Sequence, residues 1–224
     1  MTIKQFIFIT LPLLALFTAC NGNEGPVQII QGSGNVVTEM REVSGFTAVS
    51  LNGVGHLIID QTGSESMSIT ADDNILPTIE TRVSGRTLII SIQDNTTFNN
   101  VTELTYHVTL QAIDTLELNG AGEVEVLNPD GQDWQATLSG GGSITVSGQV
   151  ETQTAELNGA GAYNAEDLQS QEAAVHQNGA GMAVVQVSQQ LDVSINGLGS
   201  VEYIGNPTVK EEIDGLGTVH QRSR

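Results

Sequence analysis

A five-residue pattern, an apolar residue followed by Asn-Gly-x-Gly, recurs through the second half of this chain at nearly constant spacing. It stands first at Leu118-Asn119-Gly120-Ala121-Gly122 and returns in altered form at Leu138-Ser139-Gly140-Gly141-Gly142. Further copies place Asn158, Gly159 and Gly161 after Leu157, and Asn178, Gly179 and Gly181 after Gln177. The last two place Asn196, Gly197 and Gly199 after Ile195, and Asp214, Gly215 and Gly217 after Ile213. Successive first glycines are separated by 20, 19, 20, 18 and 18 residues. One more copy, with Asn52, Gly53 and Gly55 after Leu51, stands alone 67 residues before the rest. A fixed period of this length marks a repeat architecture, in which each unit buries its apolar face only by stacking on its neighbours.

Apolar residues alternate on both sides of the motif. Two places after the second glycine come Val124, Ile144, Tyr163, Ala183, Val201 and Val219. Two places before the first come Leu118, Leu138, Leu157, Gln177, Ile195 and Ile213, with a polar column between (Glu117, Thr137, Glu156, His176, Ser194 and Glu212). Period-two alternation around a glycine turn reads as strand, turn, strand. Two architectures fit. Each Asn-Gly can be the tight turn of an antiparallel hairpin, or each repeat can be one coil of a parallel β-solenoid. The hairpin explains Asn and the first glycine only. The solenoid explains the whole motif, because a tight corner must be repeated in every coil, and stacked Asn amides can bond along the axis. Six coils at strand spacing give a stack roughly 29 Å long. Many interior positions are Ala or Val, which suits a narrow coil. Gln177 and Glu211 interrupt the inward columns, which predicts distorted or capped final coils.

The preceding half is β-rich but less regular. Val27–Ile30, Phe46–Leu51, His56–Asp60, Ser66–Thr70, Thr87–Ile92 and Leu104–Leu110 read as strands, and Thr96–Thr102 as a polar loop. Asp73–Val83 reads as the one short helix, with Asp72 or Asp73 as its cap and Pro77 in its first turn.

The N-terminus reads as a targeting segment. Lys4 precedes an apolar stretch from Phe6 to Phe17, too short to span a bilayer, and Phe17-Thr18-Ala19-Cys20 follows. That ending resembles a lipoprotein signal box, with Phe17 where such boxes usually carry Leu. Cys20 is the only cysteine, so no disulfide can form within the chain and lipid attachment accounts for it. The expected organisation is a signal peptide over residues 1–19, then the lipidated Cys20 and a tether over 20–31. A β-rich part over 32–115 and the repetitive part over 116–224 complete it. Asn21 after the cysteine favours the outer membrane. Without Lys4 the balance is 6 basic against 26 acidic residues, or −20. Such a surface repels nucleic acids and anionic headgroups.

Several motifs together resemble a known family. They are Gly32-Ser33-Gly34-Asn35-Val36, the Phe46-x-x-Val49-x-Leu51-x-Gly53 stretch, Asp72-Asp73-Asn74-Ile75-Leu76, the strand around Leu88, and the late N-G-A-G repeats. In this order they resemble the proteins described as Putative auto-transporter adhesin, head GIN domain, over roughly residues 32–222. The resemblance implies a β-helix-like fold in exported, often lipid-anchored bacterial proteins, and brings neither a ligand nor catalytic residues.

No chemistry-bearing motif stands out. His56, His107, His176 and His220 lack metal-ligand spacing, and no nucleophile elbow, phosphate loop or zinc cluster occurs. The nearest candidate carboxylates are Glu125 with Glu123 and Glu202 with Glu212, and Glu125 and Glu202, which share one column, stand four coils apart and cannot converge on one bond. No catalytic residue, metal site or cofactor is expected. The expected protein is a non-catalytic envelope lipoprotein, anchored in the membrane by its lipid, that binds a glycan or a surface protein. The alternatives are a carbohydrate-active solenoid enzyme and a structural component that pairs through its edge strands.

Overall fold

The structure is a computed structural model and describes residues 26–223. The expected signal peptide and Cys20 lie outside the described residues. Five strands come first: β1 (Gln28–Gln31), β2 (Val36–Arg41), β3 (Ala48–Gly53), β4 (His56–Gln61) and β5 (Ser66–Asp72). A single 3-10 turn at Leu76–Thr78 leads into β6 (Ile79–Ser84), β7 (Thr87–Ile92), β8 (Thr96–Asn99), β9 (Leu104–Leu110) and β10 (Thr115–Gly120). Four long strands follow, β11 (Glu123–Gly140), β12 (Ser143–Leu157), β13 (Ala162–Gln177) and β14 (Met182–Gly197). The chain closes with β15 (Ser200–Ile204), β16 (Thr208–Gly215) and β17 (Thr218–Gln221). The fold is all-β, and its main sheet is open, with no α-helix among the described residues.

Pairing in the repeats is parallel and keeps the columns of the motif. Leu118 pairs with Leu138, Leu138 with Leu157, Leu157 with Gln177, Gln177 with Ile195, and Ile195 with Ile213. The other inward column, from Val124 through Ile144, Tyr163, Ala183 and Val201 to Val219, is likewise in register. The Asn-Gly steps are therefore not hairpin turns, since the strands flanking each step pair with adjacent repeats and not with each other. The register shifts partway along each pair of long strands. The start of β11 lies on β4 while its end lies on β10, and the register shifts between Leu127 and Asp130. Asn128, with φ of 58°, and Pro129 lie at that shift.

The isolated early motif is the next unit of the same stack. Leu51, Asn52 and Gly53 pair with Leu118, Asn119 and Gly120, and His56–Asp60 pair with Glu123–Leu127. Residues between β4 and β10 loop out to build the lower end, and strand pairing runs unbroken across residues 115 and 116. There β7 lies parallel under β3, β6 returns antiparallel on β7, and β5 joins β9 to β2 by antiparallel pairing. One apolar core runs from Phe46 to Val201 through all of it.

Three local expectations fail. The helix expected over Asp73–Val83 is only the 3-10 turn, because Ile79 turns extended and starts β6. Neither aspartate caps it. Ile75 occupies the cap position with no side-chain hydrogen bond, while Asp72 and Asp73 bond elsewhere. Thr96–Asn99, expected as loop, pairs parallel with β1, and the unexpected strand β2 pairs with β5. Gln177 does not distort its column. It stays in register and is fully buried.

Candidate functional site

The repeated corner is held by backbone contact. The N–H that follows the first glycine of each motif donates to the carbonyl of the first glycine one repeat below. Ala121 donates to Gly53, Ala160 to Gly140, Ala180 to Gly159 and Leu216 to Gly197, at 2.9–3.1 Å. The residue after the second glycine does the same to the second glycine below, as with Ser143 to Gly122 and Thr218 to Gly199. These bonds draw the corners so close that a Cβ on Gly120, Gly140, Gly159, Gly179, Gly197 or Gly215 would overlap the first-glycine carbonyl below. Positive φ is not the common factor, because Gly159 and Gly179 lack it. At the second glycine the obstruction is partly apolar. A Cβ on Gly142 would meet Leu118, and one on Gly161 would meet Leu138.

The Asn positions form ladders in two places. Asn119 Nδ2 donates to Asn52 Oδ1 at 2.9 Å, and Asn178 Nδ2 donates to Asn158 Oδ1 at 3.0 Å. Ser139 stands between these pairs. The small residues of the corners leave an open trough of about 490 Å³ along the stack, floored by residues such as Ala121, Gly141, Ala160 and Ala180.

The other sequence candidates do not gather. Glu125 is stacked between Ile58 and Thr145, and Glu202 shares Arg222 with Glu166 at 3.6 and 3.2 Å. His176 lines a smaller recess of about 140 Å³ with Asp192, Lys210 and Glu212. Among the described residues, no group of three or more His, Cys, Asp or Glu side chains is placed to hold a metal ion.

Two polar constellations escaped the sequence reading. The first joins three stretches of the chain, around residues 34, 72 and 102. Asp72 is buried and accepts from the N–H groups of Gly34 and Thr102 and from the Thr102 hydroxyl. Burial alone would raise its pKa, but these donors outweigh it and hold the carboxyl below the usual aspartate range. Asp73 accepts from the Ser33 hydroxyl at 2.6 Å and from Asn35 Nδ2 at 2.8 Å, which lowers its pKa as well. The second lies inside the stack. Trp134 Nε1 donates to the Tyr163 hydroxyl at 3.0 Å, that hydroxyl donates to Gln153, and Gln153 donates to Ser170 Oγ at 2.8 Å. Burial pushes the Tyr163 phenol far above its ordinary range, so it stays neutral. Gln153 was findable, because it lies six residues before Gly159, as Trp134 lies before Gly140 and Leu191 before Gly197, and so falls in an inward column.

Repeated backbone corners on parallel-paired strands, with Asn–Asn bonds at two of them, define the class by its fold, an all-β repeat protein. A family model described as Putative auto-transporter adhesin, head GIN domain, matches residues 45–207, and the chain belongs to that family. The fold is similar to that of a protein from Bacteroides fragilis described as a putative adhesin, with a TM-score of 0.72 and 22% identity over 86% of this chain and 100% of that one. A protein from Parabacteroides distasonis described as a putative lipid binding protein is also similar, with a TM-score of 0.50 and 19% identity over 87% of this chain and 100% of the other. No curated protein matches the chain.

Proposed function

We propose that this protein is a non-catalytic lipoprotein of the bacterial cell envelope, exported by residues 1–19 and anchored through acyl chains on Cys20, that binds a glycan or a surface protein. The parallel stack is on this reading a β-solenoid whose corners fix the fold and whose outward columns meet the ligand. The observation that carries the reading is the outward column Glu117, Thr137, Glu156, His176, Ser194 and Glu212, in register on consecutive strands of a chain that belongs to an adhesin-described family. Polar groups repeated at about 4.8 Å suit an extended ligand with its own repeat. The outer membrane is the proposed location, on the strength of Asn21.

Two measurements test it. Palmitate labelling in cells is expected for the wild type and lost in C20S, and labelling that survives C20S removes the anchor. Protein displayed on glycan arrays and on purified envelope proteins is expected to bind a defined ligand, with loss in an E117K/E156K variant that still folds. Absence of binding above background on both sets counts against the function.

A further inference from the structure

The two ends of the stack are built differently. Below β3 and β4 the parallel repeat is ended by antiparallel strands β6, β5 and β2. Above β16 and β17 no further strand pairs among the described residues. An uncovered edge of this kind is a template for another chain, because its backbone donors and acceptors have only water as partner. The side chains there are also left open. Ile213 is 41% exposed, while Ile195 in the same column is 1% exposed. Val209 and Val219 are only half-buried against the core.

The pleat limits how a second copy can meet this edge. In a head-to-head pair related by a two-fold axis, β16 runs antiparallel to its own copy. Inward side chains must then face inward ones, because a one-residue slip turns them over. In β16 the inward residues are Val209, Glu211 and Ile213, stacked on Leu191, Val193 and Ile195. A two-fold centred on Lys210 sets Val209 against Glu211. One centred on Glu212 sets Ile213 against Glu211 and Glu212 against its own copy. Centring on Glu211 sets Val209 against Ile213 twice on the inner face and Lys210 against Glu212 twice on the outer face. Only this register matches apolar with apolar and cation with anion, and its one liability is Glu211 opposite itself.

We propose that the C-terminal end is a homodimer surface, with Thr208–Gly215 of two copies paired antiparallel about Glu211 so that one interior runs through both. The dimer shares only Glu212 with the outward column that runs from Glu117 to Glu212 and does not depend on which ligand that column binds. The paired contact is narrow, and the acidic copies repel where their charges come within the roughly 8 Å Debye length of physiological salt, so affinity on the order of micromolar or weaker is expected.

The test uses the full chain in detergent at physiological salt, with dimer formation followed by sedimentation up to about 1 mM, a range set by that affinity. K210E replaces both Lys–Glu pairs by like charges and is expected to weaken the dimer about tenfold, while K210E/E212K restores it. E211Q is expected to tighten it. Under mild oxidation E211C is expected to form a disulfide with its own copy, since facing residues in an antiparallel pair lie within disulfide reach. E151C, exposed on another part of the stack, is the control, and the wild type reports any linkage through Cys20. A monomer over the whole range, a dimer indifferent to the charge exchange, or E211C linking no faster than E151C would overturn the proposal.

Discussion

At the scale of single residues, the fold turns on where a methyl group fits. Gly159 has no unusual φ, yet its Cβ would overlap the Gly140 carbonyl, and neither backbone can move without opening the corner bonds. Gly159→Ala is therefore expected to cost about 3 kcal/mol or more, at the upper end of overpacking, by denaturant unfolding. Gly141, between two such glycines, has open space around its Cβ and carries no left-handed φ, and Ala stands at the same place in neighbouring repeats. Gly141→Ala is expected to stabilise by about 0.4–1 kcal/mol through the unfolded chain. Equal effects at the two positions would show that close approach does not govern the corner. Gln177 offers a second test. Both of its amide atoms are buried without a partner, in a column where the repeats below carry Leu. Gln177→Leu is expected to gain about 1–3 kcal/mol by removing that penalty. A loss would mean that the amide has a partner in solution, such as a buried water.

Elements were legible where period and burial agree. The alternating columns from Leu118 to Ile213 sufficed to read strand, turn, strand. The glycine spacing fitted hairpins as well as coils, and the parallel pairing of the strands decided the register. The lower end was harder to read, because Ile75, Leu76, Ile79 and Val83 fit a helical stripe as well as a turn followed by a strand. Tertiary pairing of β6 with β7 decided between them. The aspartates misled for a related reason. An Asp before an apolar run signals a helix cap, whereas here Asp72 and Asp73 bind residues 33–35 and 102, which no local pattern reveals. Their lowered pKa values give this lock a pH signature. A carboxyl whose folded pKa is depressed contributes stability that is present above the unfolded value, near 3.8, and is lost as pH falls through the folded one. Hydrogen exchange at Gly34 and Thr102 is therefore expected to accelerate as pH falls below that range, after correction for the intrinsic rate. In D72N/D73N it is expected to be fast already at neutral pH. Protection that persists in the double variant would show that the loop is held by something else.

At the scale of the whole molecule, stability should be graded along the stack, because each repeat rests only on its neighbours. The middle repeats have a partner strand on both sides: β12 lies between β11 and β13, and β13 between β12 and β14. Inside them Trp134, Tyr163 and Gln153 add a satisfied polar chain. The lower end is closed by antiparallel strands and by the Asp72 lock. The upper end has one neighbour, exposed apolar side chains and an inward-column Glu211. Local opening draws on the parts with fewest buried contacts. In the monomer, amides of Thr208–Gly215 are therefore expected to exchange first, and those of Thr152–Leu157 to exchange only near global unfolding. Tyr163→Phe leaves Trp134 Nε1 and Gln153 Oε1 short of a partner and is expected to lower global stability by about 1–3 kcal/mol, while leaving exchange at the upper end unchanged. Uniform protection from Gly53 to Gly215 would instead mean that the stack opens as one unit, and that the bare end is as firmly held as the capped one.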